Sequence, residues 1–104
     1  MNRNNNAQKE NQILEINPCY WKFPQKITIH ETSEYHEIAD KLDFTEKIVF
    51  DLTDTDAASS SFIGFLININ METSSEGGLL ILKSSESINR LLSLLELNDF
   101  FKYC

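Results

Sequence analysis

The fold is decided by residues 48–103, which read IVFDLTDTDAASSSFIGFLININMETSSEGGLLILKSSESINRLLSLLELNDFFKY. The first five residues, Ile48–Leu52, form an almost continuous apolar run with two β-branched members, a pattern typical of a central strand that is covered on both faces. A serine cluster at 59–61 then precedes a predicted helix from Phe62 to about Thr73. The Gly77-Gly78 pair indicates the helix end and a tight turn. This stretch therefore predicts a strand, a loop and a helix in succession.

The residues after the glycine pair predict a second such unit. Leu79–Leu82 has the pattern of a buried strand, and one of Ser84, Ser85 or Ser87 is expected to cap the helix that follows. The apolar positions of that helix recur at helical spacing and are Ile88, Leu91, Leu92 and Leu95. Residues 100–103 are expected to form a last short strand or a docking segment.

Upstream of residue 48 the predicted elements are shorter. Extended pieces are expected at Ile13–Ile16, Cys19–Phe23 and Lys26–Ile29, and Thr32 is a candidate helix cap. One helical face is indicated by the apolar spacing of Tyr35, Ile38, Ala39 and Leu42. Strands that alternate with helices through short connections imply an α/β fold with a partly parallel sheet.

Size and charge limit the classes of protein. With 104 residues, 41% of them hydrophobic, the chain fits one domain, expected at 13–104 after a flexible polar tail at 1–12. The 16 acidic and 9 basic residues give a net charge of -7, which disfavours nucleic acid and anionic membrane surfaces as partners. No apolar stretch approaches the roughly 20 residues of a membrane helix, so no membrane insertion is expected. Cys19 and Cys104 are expected to be reduced thiols in a cytoplasmic protein.

Evidence for catalysis is weak in the sequence. His30 and His36 are six residues apart, a spacing that matches no established metal or catalytic motif. Asp51, Asp54 and Asp56 around a strand end resemble a magnesium cluster, but they are not accompanied by a phosphate-binding glycine loop. Gly64 is predicted to allow close packing of its helix. A small enzyme or nucleotide-binding protein is thus the weakest hypothesis, and no catalytic residue, metal or cofactor is predicted.

The predicted helix that begins near Phe62 has an unusually wide apolar arc. Ile63, Leu66, Ile67 and Met71 form one stripe on its surface, and a second stripe adjoins it. The second stripe consists of Phe62, Phe65 and Ile69. These three side chains are expected either to pack under the helix that contains Leu91 and Leu92 or to form an exposed contact patch.

The order of features from Ile48 to Tyr103 resembles the STAS family of bacterial anti-sigma-factor antagonists. The matching features are a strand ending in Asp51-Leu52, a serine cluster that opens a helix with Ile63-Gly64-Phe65-Leu66, a glycine pair, a strand, a leucine-rich helix and an aromatic end. Residues 29–42 also look like the first helix of that family. The resemblance implies a single STAS-like domain, with a mixed, partly parallel sheet of four to five strands and amphipathic helices mainly on one face.

The resemblance also implies a mode of action. The family binds an anti-sigma factor that is also a serine kinase, and the residue that this kinase phosphorylates corresponds to Ser60, with Ser61 as the alternative. Ser59 stands where the family usually has an aspartate, and Phe62 stands where it usually has a small residue. The residues expected at the partner contact are Ser59, Ser60, Ser61, Phe62, Phe65 and Ile69. A monomer or weak dimer is expected.

Physical chemistry leaves two interpretations of the serine cluster open. A phosphate at a helix start lies beside unpaired backbone N–H groups and the positive end of the helix dipole, where it is tolerated. Alternatively, the three serines serve as no more than a helix cap and a turn. The corresponding alternative function is a non-switching STAS adaptor in a signalling complex or a transporter-associated complex.

Overall fold

A computed structural model of the protein describes residues 17–104. The tail predicted at 1–12 and the strand predicted at Ile13–Ile16 lie outside this range. The helices and strands are, in chain order, β1 (Tyr20–Lys22), β2 (Lys26–Ile27), α1 (Ile29–Ile38) with a 3-10 turn (Ala39–Lys41), β3 (Lys47–Leu52), β4 (Ala57–Ala58), α2 (Ser60–Glu76), β5 (Leu79–Ser84), α3 (Glu86–Leu94) and β6 (Lys102–Tyr103). No helix in this part of the chain is long and apolar enough to cross a membrane.

The main sheet has four strands in the order β1-β3-β5-β6, and every neighbouring pair is parallel. The predicted α/β class is confirmed, with β3 as a central strand. A separate parallel pair, β2 and β4, lies beside this sheet. Each new strand of the main sheet is added on the same side of the last, and parallel crossovers are right-handed, so the three helices lie on one face.

The core lies between that face and the helices. Trp21, Phe50 and Leu82 are aligned across β1, β3 and β5. The Trp21 ring lies 5.0 Å from that of Tyr35 on α1, and the Phe50 ring stacks on that of Phe65 on α2 at 6.2 Å. These aromatic contacts hold both helices against the sheet, where each fully buried ring contributes on the order of 2 to 3 kcal/mol.

The first helix begins earlier than the sequence predicts. Thr28, whose backbone is extended, is the N-cap: its hydroxyl accepts a hydrogen bond from the His30 N–H at 3.2 Å, and Glu31 accepts one from the Thr28 N–H at 2.6 Å. The predicted cap, Thr32, is instead a buried helical residue that donates its hydroxyl to the Thr28 carbonyl at 2.9 Å. The prediction of Thr32 was wrong because a cap needs extended backbone, which Thr32 does not have.

The glycines have different roles. Gly77 ends α2 in the left-handed region at a φ of 91°, as the glycine pair predicts. A Cβ on Gly78 would lie 2.3 Å from the Phe44 carbonyl oxygen and 2.4 Å from that of Glu46, so the backbones meet too closely there for any side chain. Gly64 is exposed, and a Cβ on it would have no neighbour within 4 Å. The prediction that Gly64 allows close packing was therefore wrong, because it faces away from the core.

Candidate functional site at the start of the second helix

The serine cluster forms the first turn of α2. Ser59 is the N-cap with extended backbone, and its carbonyl accepts a hydrogen bond from the Phe62 N–H at 3.0 Å. Its hydroxyl makes no capping bond; the Oγ atoms of Ser59 and Ser61 are instead hydrogen-bonded to each other at 2.7 Å. Both side chains are half-buried. These two hydroxyls are therefore engaged within the turn.

Ser60 differs from its two neighbours in exposure. It is the first residue of α2, and its side chain faces solvent. A side chain at this position lies beside the first backbone N–H groups of the helix, where a negative group is stabilised. Of the three serines, Ser60 is the one that an approaching enzyme reaches most directly.

A second helix begins next to this turn. The short strands β2 and β4 pair in parallel, with Ile27 aligned to Ala58, and each leads directly into a helix cap, Thr28 or Ser59. The Ser59 N–H donates to the Ile27 carbonyl at 2.9 Å. The N-termini of α1 and α2 thus lie side by side, and the positive ends of both helix dipoles face the same region.

Because the two helix starts lie side by side, several exposed residues lie near Ser60. The sequence did not identify these residues as part of a site. Ile29, the first residue of α1, is 61% exposed, and Lys26 and Ala57 on β2 and β4 are also exposed. We refer to Lys26, Ile29, Ala57 and Ser60 as the helix-start surface. Sequence reasoning missed it because two-residue strands leave almost no hydrophobic pattern.

The loop between β3 and β4 is held firmly beneath the helix-start surface. The fully buried Thr55 donates its hydroxyl to the Pro24 carbonyl at 2.7 Å, and its own carbonyl accepts from the Ser85 hydroxyl at 2.6 Å. The Asp56 N–H donates to the Gln25 carbonyl at 2.8 Å. Since Ser85 caps α3 and residues 24–25 precede β2, this loop connects the start of α3 to the segment that leads into α1.

The predicted contact patch of Phe62, Phe65 and Ile69 is wrong as an exposed surface, because all three side chains are buried. Phe62 packs on Phe23 with ring centroids 5.2 Å apart, and Phe65 packs on His36 of α1 at 5.1 Å. The structure therefore shows the other alternative, in which these three side chains are buried. The helix that covers them is α1. The predicted neighbour was the helix of Leu91 and Leu92. The ring contacts of Phe62 and Phe65 are instead with α1 and with the aromatic side chains of the sheet, because α1 lies alongside α2 and the wide apolar arc faces both.

A second polar cluster surrounds Asp51 on the face of the sheet opposite the helices. Its carboxylate accepts hydrogen bonds from the Tyr20 hydroxyl and, at 2.5 Å, from the Thr53 hydroxyl, and Lys22 Nζ lies 3.6 Å away. Burial alone would raise the pKa of Asp51, but the bonds from Thr53 and Tyr20 and the Lys22 charge outweigh it and hold this pKa well below its ordinary value. A carboxylate of such low pKa is a weak base, so it is poorly suited to general-base catalysis at neutral pH.

Among residues 17–104 no group of three or more histidine, cysteine, aspartate or glutamate side chains is arranged to hold a metal ion. Cys19 and Cys104 are both free thiols. Comparison of the chain with protein-family models, with curated proteins and with solved structures gives no match.

Proposed function

We propose that this protein is an anti-sigma-factor-antagonist-like regulator of the STAS class, which binds an anti-sigma factor that is also a serine kinase. The observation that carries the proposal is the position of Ser60, exposed at the first residue of a 17-residue helix and beside the start of a second helix. The order of strands, serine cluster, glycine pair and helices from Ile48 onward supports the family assignment.

In this proposal the helix-start surface is the docking site. The exposed Ile29 supplies apolar contact area, and Ser60 supplies the switch. A phosphate on Ser60 adds roughly 1.5 to 2 negative charges, which the two helix N-termini tolerate but which the docked partner has to desolvate. Phosphorylation therefore releases the partner without unfolding the regulator.

The departure from the family pattern at Phe62 is compatible with this surface. The Phe62 ring points into the core between Phe23 and Phe65, so the larger side chain replaces core volume and leaves the exterior beside Ser60 unchanged. We therefore assign the partner contact to the exposed residues of the helix-start surface. The buried rings of Phe62 and Phe65 lie in the core under this surface.

The alternative function is a non-switching STAS adaptor, in a signalling complex or a transporter-associated complex. One observation favours it: Ser59 takes the place of the usual aspartate, and its hydroxyl is bonded to Ser61. A kinase that recognises its substrate through a carboxylate at this position has no such group to bind here. In that case the same surface binds a partner permanently.

The direct test is to recover the protein from its native cells, before and after starvation, and to map phosphorylation by mass spectrometry. Phosphate at Ser60 that changes with growth conditions supports the switch. Ser33, exposed on α1, is the internal control for nonspecific modification. An unmodified Ser60, with its peptide well covered and other phosphoproteins detected, favours the adaptor.

A pair of variants then separates charge at this site from charge elsewhere on the same helix. Ser60→Asp is expected to lose the co-purifying partner, whereas Ser75→Asp, at an exposed position near the other end of α2, is expected to retain it. Because aspartate at a helix N-terminus stabilises by about 0.3 to 1 kcal/mol, loss of binding by Ser60→Asp is not explained by unfolding. Retention of the partner by both variants contradicts the switch.

A further inference from the structure

The face of the main sheet opposite the helices has an unusual charge for this protein. Residues aligned in register share a face, so Lys22, Asp51 and Lys83 lie in one row across β1, β3 and β5, and Lys47 and Lys102 belong to the same face. We call it the open face. Its strand residues include four lysines and one aspartate, whereas the chain as a whole has a net charge of -7. Lys22 is ion-paired with Asp51 and with the exposed Asp54, so the cations that border the face are Lys47, Lys83 and Lys102.

The centre of the open face is apolar. Val49 and Ile81 are aligned and half-buried, and the adjoining Leu79 and Tyr20 are 43% and 37% exposed. Register places Val49, Leu79 and Ile81 on this face. Tyr20 lies between Lys83 and Asp51 on the same face: Lys83 Nζ is 5.9 Å from the centre of the Tyr20 ring, whose hydroxyl bonds to Asp51. The face is thus an apolar strip bordered by cations.

A parallel sheet normally has both faces covered, because crossover helices or other elements shield its hydrophobic strands. Here the three helices of residues 17–104 all pack on the Trp21, Phe50 and Leu82 side. No helix of the described residues covers the open face. No described helix shields the strip of Val49, Leu79 and Ile81, so docking of a partner on it would remove apolar surface from water.

We propose that the open face binds an acidic amphipathic helix of a partner protein. Such a helix places an apolar stripe on Val49 and Ile81 and its carboxylates on the bordering lysines. The six-residue strands β3 and β5 are about 20 Å long, which matches three to four turns of helix. A helix about 10 Å wide covers two neighbouring strands.

One end of the open face offers an anchoring cleft. A cavity of about 610 Å³ lies at the carboxyl ends of the strands and is lined by Asp51, Thr53, Lys83, Asn89 and Tyr103, among others. Lys83 connects this cleft to the apolar strip. A carboxylate near one end of the docked helix is expected to pair with Lys83 there.

This surface is distinct from the helix-start surface, since it lies on the opposite side of the sheet from Ser60 and α2. The proposal therefore does not depend on the proposed function. In both proposed functions, the switching antagonist and the non-switching adaptor, the first partner binds the helix-start surface. The open face is then available to a second partner.

The test uses the full chain with labelled methyl groups and two synthetic 18-residue helical peptides. Both peptides have a leucine stripe; one is flanked by glutamates and the other by lysines. NMR titration with the glutamate peptide is expected to shift the methyl signals of Val49, Leu79 and Ile81, and the lysine peptide is expected to bind at least about tenfold more weakly. Equal binding of the two peptides, or shifts confined to the helices, overturns the proposal.

Charge-reversal variants locate the site. Lys83→Glu combined with Lys102→Glu is expected to weaken binding of the glutamate peptide by about tenfold. Lys41→Glu combined with Arg90→Glu makes the same change in net charge at exposed positions on the helical side, and it is expected to alter affinity by less than about twofold. If both double variants lose the same affinity for the glutamate peptide, the proposal is contradicted. Equal losses would mean that the peptide responds only to the net charge of the protein and not to a particular face.

Two other occupants have distinct signatures. Contacts in the NMR spectra of the full chain from residues 1–16 to Val49 or Ile81, without any peptide, show that the chain covers its own face. Concentration-dependent shifts of the same methyl groups, together with a dimer in sedimentation equilibrium, show that a second copy does. Either result overturns the assignment to an acidic partner helix.

Discussion

At the scale of single residues, Asp51 is the most constrained charged group in the described chain. It lies in a central strand of a parallel sheet with little access to water, yet its pKa is held low by hydrogen bonds from the hydroxyls of Thr53 and Tyr20 and by the charge of Lys22. Because an unpaired buried charge is costly, these partners are needed for the native state. The sequence indicated a strand ending in Asp51-Leu52 and a group of aspartates after it, but it did not identify these partners.

Asp51→Asn is expected to destabilise the protein by about 2 kcal/mol at neutral pH, because it removes charge-assisted hydrogen bonds. The folded pKa of Asp51 lies below the unfolded one, so its contribution is complete above about pH 5 and is lost progressively as the pH falls through the unfolded pKa toward the folded one. Urea unfolding at about pH 7 and pH 3 measures the free energy of unfolding of the variant and of the wild type. The difference between the two proteins should be smaller at about pH 3. Asp54→Asn, which changes an exposed partner of Lys22, is the control and should cost little. If the difference in free energy of unfolding does not change with pH, the low folded pKa of Asp51 is contradicted.

At the scale of elements, the connection from α2 to β5 sets the position of the central strands. Gly77 reverses the chain direction at the helix end, and the Leu79 N–H donates to the Glu46 carbonyl at 3.1 Å, next to the close approach at Gly78. β5 therefore enters the sheet in register with β3, Lys47 aligned with Leu79. The glycine pair is both a helix stop and the point where two connections touch.

Gly78→Ala is expected to destabilise by about 3 kcal/mol, because its methyl group would meet two backbone carbonyl oxygens that cannot rotate away. Gly64→Ala is the matched control: its Cβ meets nothing within 4 Å, and alanine favours the helix by about 1 kcal/mol. Urea unfolding of the two variants should therefore give changes of opposite sign. Similar behaviour of both would show that residues 43–46 do not approach Gly78 as closely as described.

At the scale of the whole molecule, an aromatic cluster connects β1, β3, α1 and α2. Its members are Trp21, Phe23, Tyr35, Phe50, Phe62 and Phe65, each within 6.2 Å, centre to centre, of at least one other ring. Burial raises the pKa of Tyr35 to about 12, with the charges of Glu31 and Glu34 adding to the effect. The cluster explains why the second apolar stripe of α2 is core and not contact surface.

Phe65→Ala is expected to destabilise by about 3 to 5 kcal/mol, because it leaves a cavity between α1, α2 and the sheet. Met71→Ala, on the same helix at 59% exposure, should change the free energy of unfolding by less than about 1 kcal/mol. Calorimetric unfolding of both variants makes the comparison. A cost below about 1 kcal/mol for Phe65→Ala would restore the exposed-patch alternative.

The sequence by itself determined the elements with strong patterns. The apolar run at Ile48–Leu52, the helical spacing after the serine cluster and the glycine pair identified β3, α2 and its end, because these signals depend on near neighbours along the chain. The α/β class followed from their alternation. Ser60 was placed at a helix start for the same local reason, although its modification remains a proposal.

The tertiary structure decided what depends on residues far apart in the chain. It paired Lys26–Ile27 with Ala57–Ala58, which sets two helix starts side by side, and it buried Phe62 and Phe65 under α1. It also placed Lys22 and Lys83 on one face, which no helix of residues 17–104 covers. The physical reason is that strand order and helix packing are fixed by burial of a shared core, and which face of an element is buried depends on partners that local spacing does not specify.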